Sequence, residues 1–386
     1  MKKNIYLKKS INEIYFKKKL YLKDKIKLNK IIKNIYTSLD VKEDNFHSLS
    51  KKFNFDLKNS EIIKFNQYKS VILIGMGGSI LGAKAIYSFC KFKIKNKFIF
   101  FDNLDQIKID KTKKKINFKN SLFIIISKSG NTIETVINTN LFKDKINNKN
   151  TIVITEKKNN LLNLFAKKKK ILHIKHKDYI GGRYSVLSEV GMVPAYFMGL
   201  KVKYFRKNLL NFFKPKEKNL LVDNVIKLSH IYRNKKINSI ILLNYAPEVN
   251  EFLSWTQQLI AESLGKKGKG ILPVVSVAPR DHHSLLQLYL DGPKDKLFYI
   301  FSIKLNKNTK INKTKEAQKN ALIQALKNKN IPYQEFAINT KNEETLGELF
   351  SYFMMETVLI GKLLNINPFN QPAVEQVKIL TNKYLN

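Results

Sequence analysis

Two residues in the middle of the chain carry the side chains needed to move a proton between neighbouring carbon atoms. Glu262 lies on a helical pattern that ends in Ser-Leu-Gly-Lys-Lys-Gly, and His283 follows about twenty residues later at the start of His-Ser-Leu-Leu-Gln. A carboxylate accepts a proton and an imidazole donates one, which are the two elementary steps of general acid–base catalysis. Each alone is also common on protein surfaces, as an exposed helix carboxylate or a polar residue at a helix start. The two residues therefore indicate catalysis only if a substrate-binding site lies beside them.

A polar loop earlier in the chain has the composition of a phosphate site. It follows a buried strand pattern that ends at Ile126 and precedes a helical pattern that begins near Ile133. Gly130 permits a tight turn there, and helix N-termini attract anions through unpaired N–H groups and the helix dipole. The alternative is a simple helix cap by Thr132, for which one hydroxyl suffices. The loop has more donors than a cap needs: Ser127, Lys128, Ser129 and Thr132.

A second glycine-bearing loop, GMGGSILG at 75–82, follows an apolar run at 71–74 and opens another helical pattern. Its spacing does not match the dinucleotide pattern G-x-G-x-x-G, because position 80 is Ile. Close packing of a strand on a helix would also explain these glycines. Both loops follow predicted parallel strands, and ligands of open α/β sheets bind at the carboxyl ends of such strands.

Alternating apolar runs and helical patterns predict an α/β protein with two doubly wound domains, mostly parallel sheets and helical extensions at both ends. The predicted strands are 71–74, 98–101, 122–126, 152–154, 171–174, 238–244, 272–277, 297–303 and 333–338. The predicted helices include 133–146, 248–264, 313–328, 343–364 and 372–385. The expected divisions are a helical lysine-rich segment 1–40, domains 41–205 and 206–365, and a C-terminal helical segment 366–386 that completes the site.

The formal charge of +41 over 386 residues is typical of nucleic-acid-binding proteins, but the composition and distribution of the basic residues argue against that function. Only four of the 71 basic residues are arginines, the residue type that base readout and bidentate phosphate capture favour. The lysines are spread along the whole sequence. We expect a solvated lysine-rich surface, whose field attracts small anionic substrates, and no nucleic-acid partner.

The expected location is the cytoplasm. Cys90 is the only cysteine, so no internal disulfide is possible and a reducing compartment is expected. The charged start has no apolar segment of signal-peptide length. The most hydrophobic window, 71–90, contains four glycines and Lys84, so no membrane span is expected. No clustered His, Cys and Asp ligand set appears, and no metal or other cofactor is expected.

Five motifs over roughly residues 70–380 resemble, in the right order, the glucose-6-phosphate isomerase family, whose members have two sugar-isomerase-type domains. They are GMGGSILG, SKSGNTIET at 127–135, GGRYSVLSEVG at 181–191, QQLIAESLGK at 257–266 with HSLLQ at 283–287, and NPFNQPAVEQVK at 367–378. The resemblance implies reversible conversion of glucose 6-phosphate to fructose 6-phosphate through a cis-enediol(ate), in glycolysis and gluconeogenesis. The chain departs from the family at Ala373 and Val377, where glycines are usual, and in the Ser-Gly-Asn of the phosphate loop.

The resemblance also implies roles for individual residues. Glu262 would be the base that shuttles the proton between C1 and C2, and Arg183 the cation beside the enediolate. His283 and Lys378 would open the sugar ring; His283 is preferred to His282 because Gln287 then follows four residues later. In the family this His belongs to the neighbouring subunit's site, which implies a homodimer. The implied substrate contacts are Gly78, Ser79, Ser127, Lys128, Ser129, Thr132, Gln258 and Gln371.

Two other functions stay open at this point. The SKSGNT loop is compatible with a dual phosphoglucose/phosphomannose isomerase. A non-catalytic sugar-phosphate sensor or nucleic-acid-binding regulator would explain the loops and the charge. That second alternative leaves Glu262, His283 and Arg183 without a shared task.

Overall fold

The computed structural model describes residues 4–11, 15, 18–304 and 309–385. This part of the chain forms ten strands in two five-stranded sheets. The strands are β1 (Ile5–Ser10), β2 (Ser70–Gly75), β3 (Lys97–Phe101), β4 (Ser121–Ile126), β5 (Thr151–Thr155), β6 (Leu172–Lys175), β7 (Ser239–Asn244), β8 (Leu272–Val277), β9 (Lys296–Ile303) and β10 (Tyr333–Ile338).

Helices connect and cover these strands. They are α1 (Lys18–Ser38), α2 (Asn59–Ile62), α3 (Leu81–Cys90), α4 (Gln106–Lys115), α5 (Ile133–Asn140), α6 (Leu161–Lys168), α7 (Glu189–Phe197), α8 (Val202–Phe205), α9 (Pro215–Asn234), α10 (Asn250–Leu264), α11 (Leu286–Asp291), α12 (Lys310–Asn328), α13 (Glu343–Leu363) and α14 (Ala373–Leu385). Short 3₁₀ turns lie between several of them.

The two sheets share the order of four strands and differ in the fifth. The first is β3-β2-β4-β5-β6, and the second, taken from its far edge, is β8-β7-β9-β10-β1. All neighbouring strands run parallel except β1, which is antiparallel to β10. The order reverses at β2 in one sheet and at β7 in the other, which is the doubly wound arrangement. The predicted α/β class with two mostly parallel sheets is therefore confirmed.

The central strands are uniformly apolar because both faces of each sheet are covered. Every residue of β4 and β5 is buried, as expected for parallel strands between helical layers. One face of each sheet contributes to a single large core, where Leu73 and Ile124 belong to the same apolar cluster as Leu242 and Phe301. Within this core α3 and α10 pack against each other. Helix α3 follows the glycine-bearing loop, and helix α10 carries Glu262. Their packing therefore positions the loop and Glu262 relative to each other.

The N-terminal prediction of a helical segment 1–40 is wrong for residues 5–10, which form β1. This strand adds to the free edge of β10, where alternate residues Ile5 and Leu7 pack against the core and Lys9, on the same face, pairs with Asp223. Alternation with period two suits a half-buried edge strand. Helix α1 is present, with Leu28, Ile32 and Ile35 as its buried stripe. Residues 1–3, 12–14 and 16–17 of the predicted segment lie outside the described residues.

The predicted helix 133–146 is also too long, because α5 ends at Asn140. From there the backbone continues in turns, in which Phe142 N–H donates to Thr139 and Lys143 N–H to Asn140. Phe142 and Ile146, four residues apart in these turns, are both buried. The apolar periodicity through Ile146 therefore reflects a packed turn and not another helical turn.

Glu356 on α13 is fully buried in a polar network inside the second half of the core. Asn224 Nδ2 and Tyr352 OH donate to its Oε2 at 2.5 and 3.0 Å, and Tyr299 OH donates to its Oε1 at 3.3 Å. Burial raises the pKa of Glu356 from 4.5 to about 7. Between pH 4.5 and about 7, Glu356 is therefore protonated in the folded chain and ionised in the unfolded chain.

The stability of the protein should fall as pH rises from about 4.5 to about 7 and then level off, because across this window only the folded state binds that proton. Glu356→Gln, which imitates the protonated acid, should gain relative to the parent protein by up to about 3 kcal/mol over the same window. Urea unfolding at several pH values measures this. A stability difference between the two proteins that stays constant with pH would contradict it.

Candidate active site

Arg183 is the hub of the site. It lies in the 3₁₀ turn Gly182–Leu187 and is 3% exposed. Each of its five N–H donors is used within the protein. Nε donates to Ser263 Oγ (2.8 Å), Nη1 to Glu262 Oε2 and Gln371 Oε1 (3.0 Å each), and Nη2 to the carbonyls of Pro368 (2.6 Å) and Asn370 (3.1 Å). One planar guanidinium thereby joins α10 to the segment 368–371.

The carboxylate of Glu262 is fixed at both oxygens but remains accessible. Arg183 binds Oε2, and Gln258 Nε2, one helical turn earlier on α10, donates to Oε1 at 2.9 Å. The Glu262 side chain is 29% exposed, so an incoming molecule can reach it. Gln258 Oε1 is buried and has no hydrogen-bond partner within the described ranges. A buried acceptor of this kind usually has a partner in the working protein.

The glycine-bearing loop presses directly against the Arg183 turn. A Cβ placed on Gly78 would lie 2.3 Å from the carbonyl carbon of Gly182 and 2.6 Å from Arg183 N. Gly77 has φ +51°, and a Cβ there would be 2.7 Å from Gln258 Nε2. The glycines of this loop therefore allow it to lie close to the backbone of the Arg183 turn, and binding of a dinucleotide is not needed to explain them. Ser79 ends the same turn and is half-buried.

Gly78→Ala should displace the Arg183 turn, because the colliding atoms belong to backbone and cannot rotate away. We expect a loss of a few kcal/mol of stability and at least about a 10²-fold fall in kcat/KM. Gly182→Ala is the matched control for stability, since a Cβ there meets nothing within 4 Å. Its melting temperature should stay within about 2 °C of the parent value. Equal destabilisation by both substitutions, measured by thermal unfolding, would refute this account.

The polar loop 127–132 joins β4 to α5. Ser127 Oγ and Thr132 Oγ1 share a hydrogen bond of 2.9 Å, and Gly130 N–H donates to Ser127 Oγ at 3.2 Å. Gly130 has φ +70°, and a Cβ there would overlap Asn160. Thr132 holds the N-cap position of α5, but its side chain makes no capping hydrogen bond. The simple-cap alternative therefore does not describe this loop.

The lysine of that loop is turned toward backbone. Lys128 Nζ donates to the carbonyl of Asp178 at 2.6 Å and lies 3.9 Å from Glu156. Burial lowers the pKa of Lys128. Ser129 is exposed, and its Oγ accepts from Asn131 N–H at 3.3 Å. The Lys128 amine would have to exchange its carbonyl partner to meet an anion at the loop.

The two loops leave the sheet side by side. Gly75 and Ile126, the last residues of β2 and β4, are register partners in neighbouring parallel strands. The candidate residues Gly78, Arg183, Glu262, Gln258 and Gln371 form one contact cluster. The hydroxyls of Ser127, Ser129 and Thr132 stand on the adjacent loop. This edge, at the point where the strand order reverses, is where open α/β sheets bind ligands.

Two predicted site residues are not brought to this cluster within the chain. His283 is exposed in the 3₁₀ turn after β8, whereas its neighbour His282 shares a 2.7 Å hydrogen bond with Tyr245 OH. Lys378 lies on α14, all of whose described residues are exposed, and its amine pairs with Glu375 at 3.1 Å. Their roles stay predictions.

The sequence reasoning missed three residues that support the cluster. Ser263 Oγ accepts from Arg183 and shares a 2.8 Å hydrogen bond with Tyr184 OH. Lys266 donates to the carbonyl of Asn367 at 2.6 Å, and burial lowers its pKa to about 8. Ser263 and Tyr184 directly follow Glu262 and Arg183 in the motifs, and adjacency was the available signal.

Among the described residues, no three His, Cys, Asp or Glu side chains come together in a way that would hold a metal ion. Over the same ranges, every helix is too short or too polar to cross a membrane.

The sequence profile of the phosphoglucose isomerase family matches residues 28–272. A glucose-6-phosphate isomerase of Methanocaldococcus jannaschii is 32% identical over 376 residues, covering 91% of this chain and 93% of that protein. One from Campylobacter jejuni is 30% identical, covering 88% and 91%.

Solved structures show the same fold at lower identity. A hypothetical protein from Thermus thermophilus superposes with a TM-score of 0.82 at 22% identity, covering 98% of this chain and all of that one. A glucose-6-phosphate isomerase from Chlamydia trachomatis superposes with a TM-score of 0.72 at 20% identity, covering 84% of this chain and 71% of that one. At these identities the likeness concerns the architecture.

Proposed function

Because the chain belongs to the phosphoglucose isomerase family, we propose that the Arg183–Glu262–Gln258 cluster is the catalytic centre of its reaction. That reaction is the reversible isomerisation of glucose 6-phosphate and fructose 6-phosphate. The observation that carries the proposal is a carboxylate held at both oxygens, by Arg183 at 3.0 Å and Gln258 at 2.9 Å, yet 29% exposed. A base must be both oriented and reachable.

Glu262 is assigned the proton transfer. In the aldose-to-ketose direction it takes the proton from C2, the electron pair forms the C1–C2 double bond, and negative charge develops on O1. The protonated acid then returns the proton to C1, while the C2 hydroxyl proton is transferred to O1 as the C2 carbonyl forms, so that O1 becomes the C1 hydroxyl. One residue serves both steps, because C1 and C2 are adjacent. No redox partner is required, since one carbon is oxidised as its neighbour is reduced.

Arg183 is assigned the stabilisation of the enediolate oxygen. A fixed guanidinium in a buried setting lowers the energy of developing negative charge more than water does. All its donors are occupied, so a substrate oxygen must replace one partner. Gln371 is the exchangeable one, because it is an exposed side chain, whereas Pro368 and Asn370 bind through backbone carbonyls. This exchange fits the sugar-contact role proposed for Gln371.

The loop 127–132 is assigned the phosphate group. Three hydroxyls and the first turn of α5 offer donors next to the catalytic edge of the sheet. Lys128 adds a positive charge once its amine leaves the Asp178 carbonyl. Gly78 and Ser79 line the sugar between the two loops. The unpartnered Gln258 Oε1 is suited to accept a hydrogen bond from a sugar hydroxyl.

We assign ring opening to His283 and Lys378 and propose a homodimer in which His283 reaches the partner's site. His283 is exposed. The whole of α14 is exposed too, including Val377 and Ile379, each 64% exposed. Apolar side chains on an uncovered helix favour burial against another surface. A second copy of this chain would supply that surface and complete both sites.

Mixing inactive variants tests the shared site. Glu262→Gln and His283→Ala chains, unfolded together and refolded, should recover about a quarter of wild-type activity. Half of the random dimers are hybrids, and each hybrid has one site free of both substitutions. Each variant refolded alone is the control. Recovery no greater than the sum of the two controls would place His283 in its own chain's site or outside catalysis.

The function itself is tested by a coupled assay that starts from fructose 6-phosphate, with mannose 6-phosphate assayed in parallel. Efficient turnover of both hexose phosphates would favour the dual isomerase. Absence of turnover together with strongly salt-dependent DNA binding would favour a regulator. The family match and the named relatives favour neither alternative. A cytoplasmic location belongs to this proposal, supported by the single, buried Cys90.

A further inference from the structure

The second sheet repeats the order of four strands of the first, so its switch point corresponds to the catalytic one. β7 occupies the place of β2, and β9 occupies the place of β4. In the first half of the chain the segments after these strands form the catalytic loops. In the second half, the carboxyl ends of β7 and β9 open into a separate cavity of about 1220 Å³. No residue of the catalytic cluster lines it.

The position of this cavity is the one at which open α/β sheets bind ligands. Its walls are residues 245–248 after β7, 302–304 at the end of β9, 335–339 of β10 and 312–320 of α12, together with Lys8. The space lies between the first half of α12 and the carboxyl edge of the sheet. It is far larger than an inorganic ion needs and is large enough for a small metabolite.

The charge on the walls selects an anion. The lining contains three glutamates, and all three pair with lysines: Lys319 binds Glu316 at 2.8 Å and Glu335 at 3.0 Å, and Lys341 binds Glu248 at 2.8 Å. Because Lys319 serves two glutamates, one negative charge of the lining is left unbalanced by these pairs. Three further lysines of the lining form no ion pair with any described residue: Lys304, Lys313 and Lys315. Positive charge therefore remains uncompensated in the lining of the cavity, where it attracts phosphate groups.

We propose that this cavity is a second anion site, which binds a small organic phosphate. The phosphate lies against Lys304, Lys313 and Lys315, and the uncharged body of the molecule extends toward Ser302 and residues 245–248. Residues 245–249 lead directly into α10, the helix that carries Glu262. The site is therefore connected to the catalytic helix by a single short segment.

Titration calorimetry with glycerol 3-phosphate, at fixed ionic strength, tests the proposal. This phosphate ester has no carbonyl carbon to isomerise. The wild-type protein should bind two molecules per chain, one at each switch point. Lys313→Gln/Lys315→Gln should retain one and lose at least about tenfold in affinity for the other. Its KM for fructose 6-phosphate should stay within about twofold of the wild-type value, because the catalytic loops are untouched.

Lys327→Gln/Lys329→Gln is the matched control, since it removes the same charge at the same spacing from the other end of α12, outside the cavity. It should still bind two molecules. Lys304→Gln, directly after the end of β9, is an independent variant that should repeat the loss. Equal weakening in both double variants would reveal only a diffuse ionic atmosphere. That result, or a single bound molecule in the wild-type protein, would overturn the proposal.

Discussion

Glu262→Gln is expected to lower kcat for fructose 6-phosphate by about 10³-fold or more, with KM changed little. The amide keeps the volume of the side chain and an oxygen for Arg183, so the substrate pocket survives. It cannot take the C1 proton of fructose 6-phosphate, because a carboxamide is not basic at neutral pH. Steady-state rates measure the loss. Exchange of the C1 hydrogen of fructose 6-phosphate with solvent deuterium, followed by NMR, should fall in parallel.

Glu251→Gln is the control for that experiment. Glu251 stands on the same helix α10, is likewise 29% exposed and likewise pairs with a cation, Lys84 at 3.1 Å. It lies outside the Arg183 cluster, so its amide variant should retain kcat within about twofold. Near-wild-type turnover in Glu262→Gln would remove the proton-transfer role. Similar losses in both variants would point to damage of the helix instead.

Arg183→Lys is expected to lower kcat/KM by about 10²-fold to 10³-fold and the free energy of unfolding by about 3 kcal/mol. Lysine has three donors on one atom and cannot reach Ser263, Glu262 and the 368–371 segment together. Buried carbonyls lose their partners, and the developing enediolate loses its planar cation. Coupled-assay kinetics and urea unfolding measure the two effects separately.

Arg206→Lys separates catalytic loss from structural loss. Arg206 also holds distant backbone together, donating to the carbonyls of Ser48 (2.9 Å), Ser50 (2.6 Å) and Leu187 (3.2 Å). Its replacement should destabilise the fold but leave kcat within about threefold at a temperature where both variants are folded. If the two arginine variants lose activity only in proportion to stability, Arg183 is a structural residue and not a catalytic one.

The sequence was most informative where a single physical constraint governs a segment. The strands from β2 to β10 were predicted because residues buried on both faces must be apolar, as in the run Leu122–Ile126. Edge strand β1 was missed because only Ile5 and Leu7 of its inward face are apolar, whereas Lys9 on the same face is charged and pairs with Asp223. The end of α5 was missed because buried Phe142 and Ile146 keep a helical spacing in the turns that follow it, and hydrophobic periodicity does not distinguish such turns from a helix.

The site was partly predictable from the sequence, because some of its residues lie in motifs that resemble those of the family. The family resemblance, which the family match confirms, gave Arg183, Glu262, Gln258 and Gln371, and the structure brings these four into contact. Local sequence contains no record of what a side chain meets across the fold. The use of all five Arg183 donors, and the separation of His283 and Lys378 from them, depend on contacts between distant segments. Those contacts appear only in three dimensions.

The bonds of Arg183 also bear on how the molecule acquires activity. Its hydrogen-bond partners stand between 79 and 188 residues away along the chain, and closing such long loops is slow compared with forming local helices. A newly made chain can therefore complete its first sheet before the hydrogen-bond partners of Arg183 are in place. Catalytic competence is an end-point of folding, and a compact but incompletely folded chain would not turn over sugar phosphate.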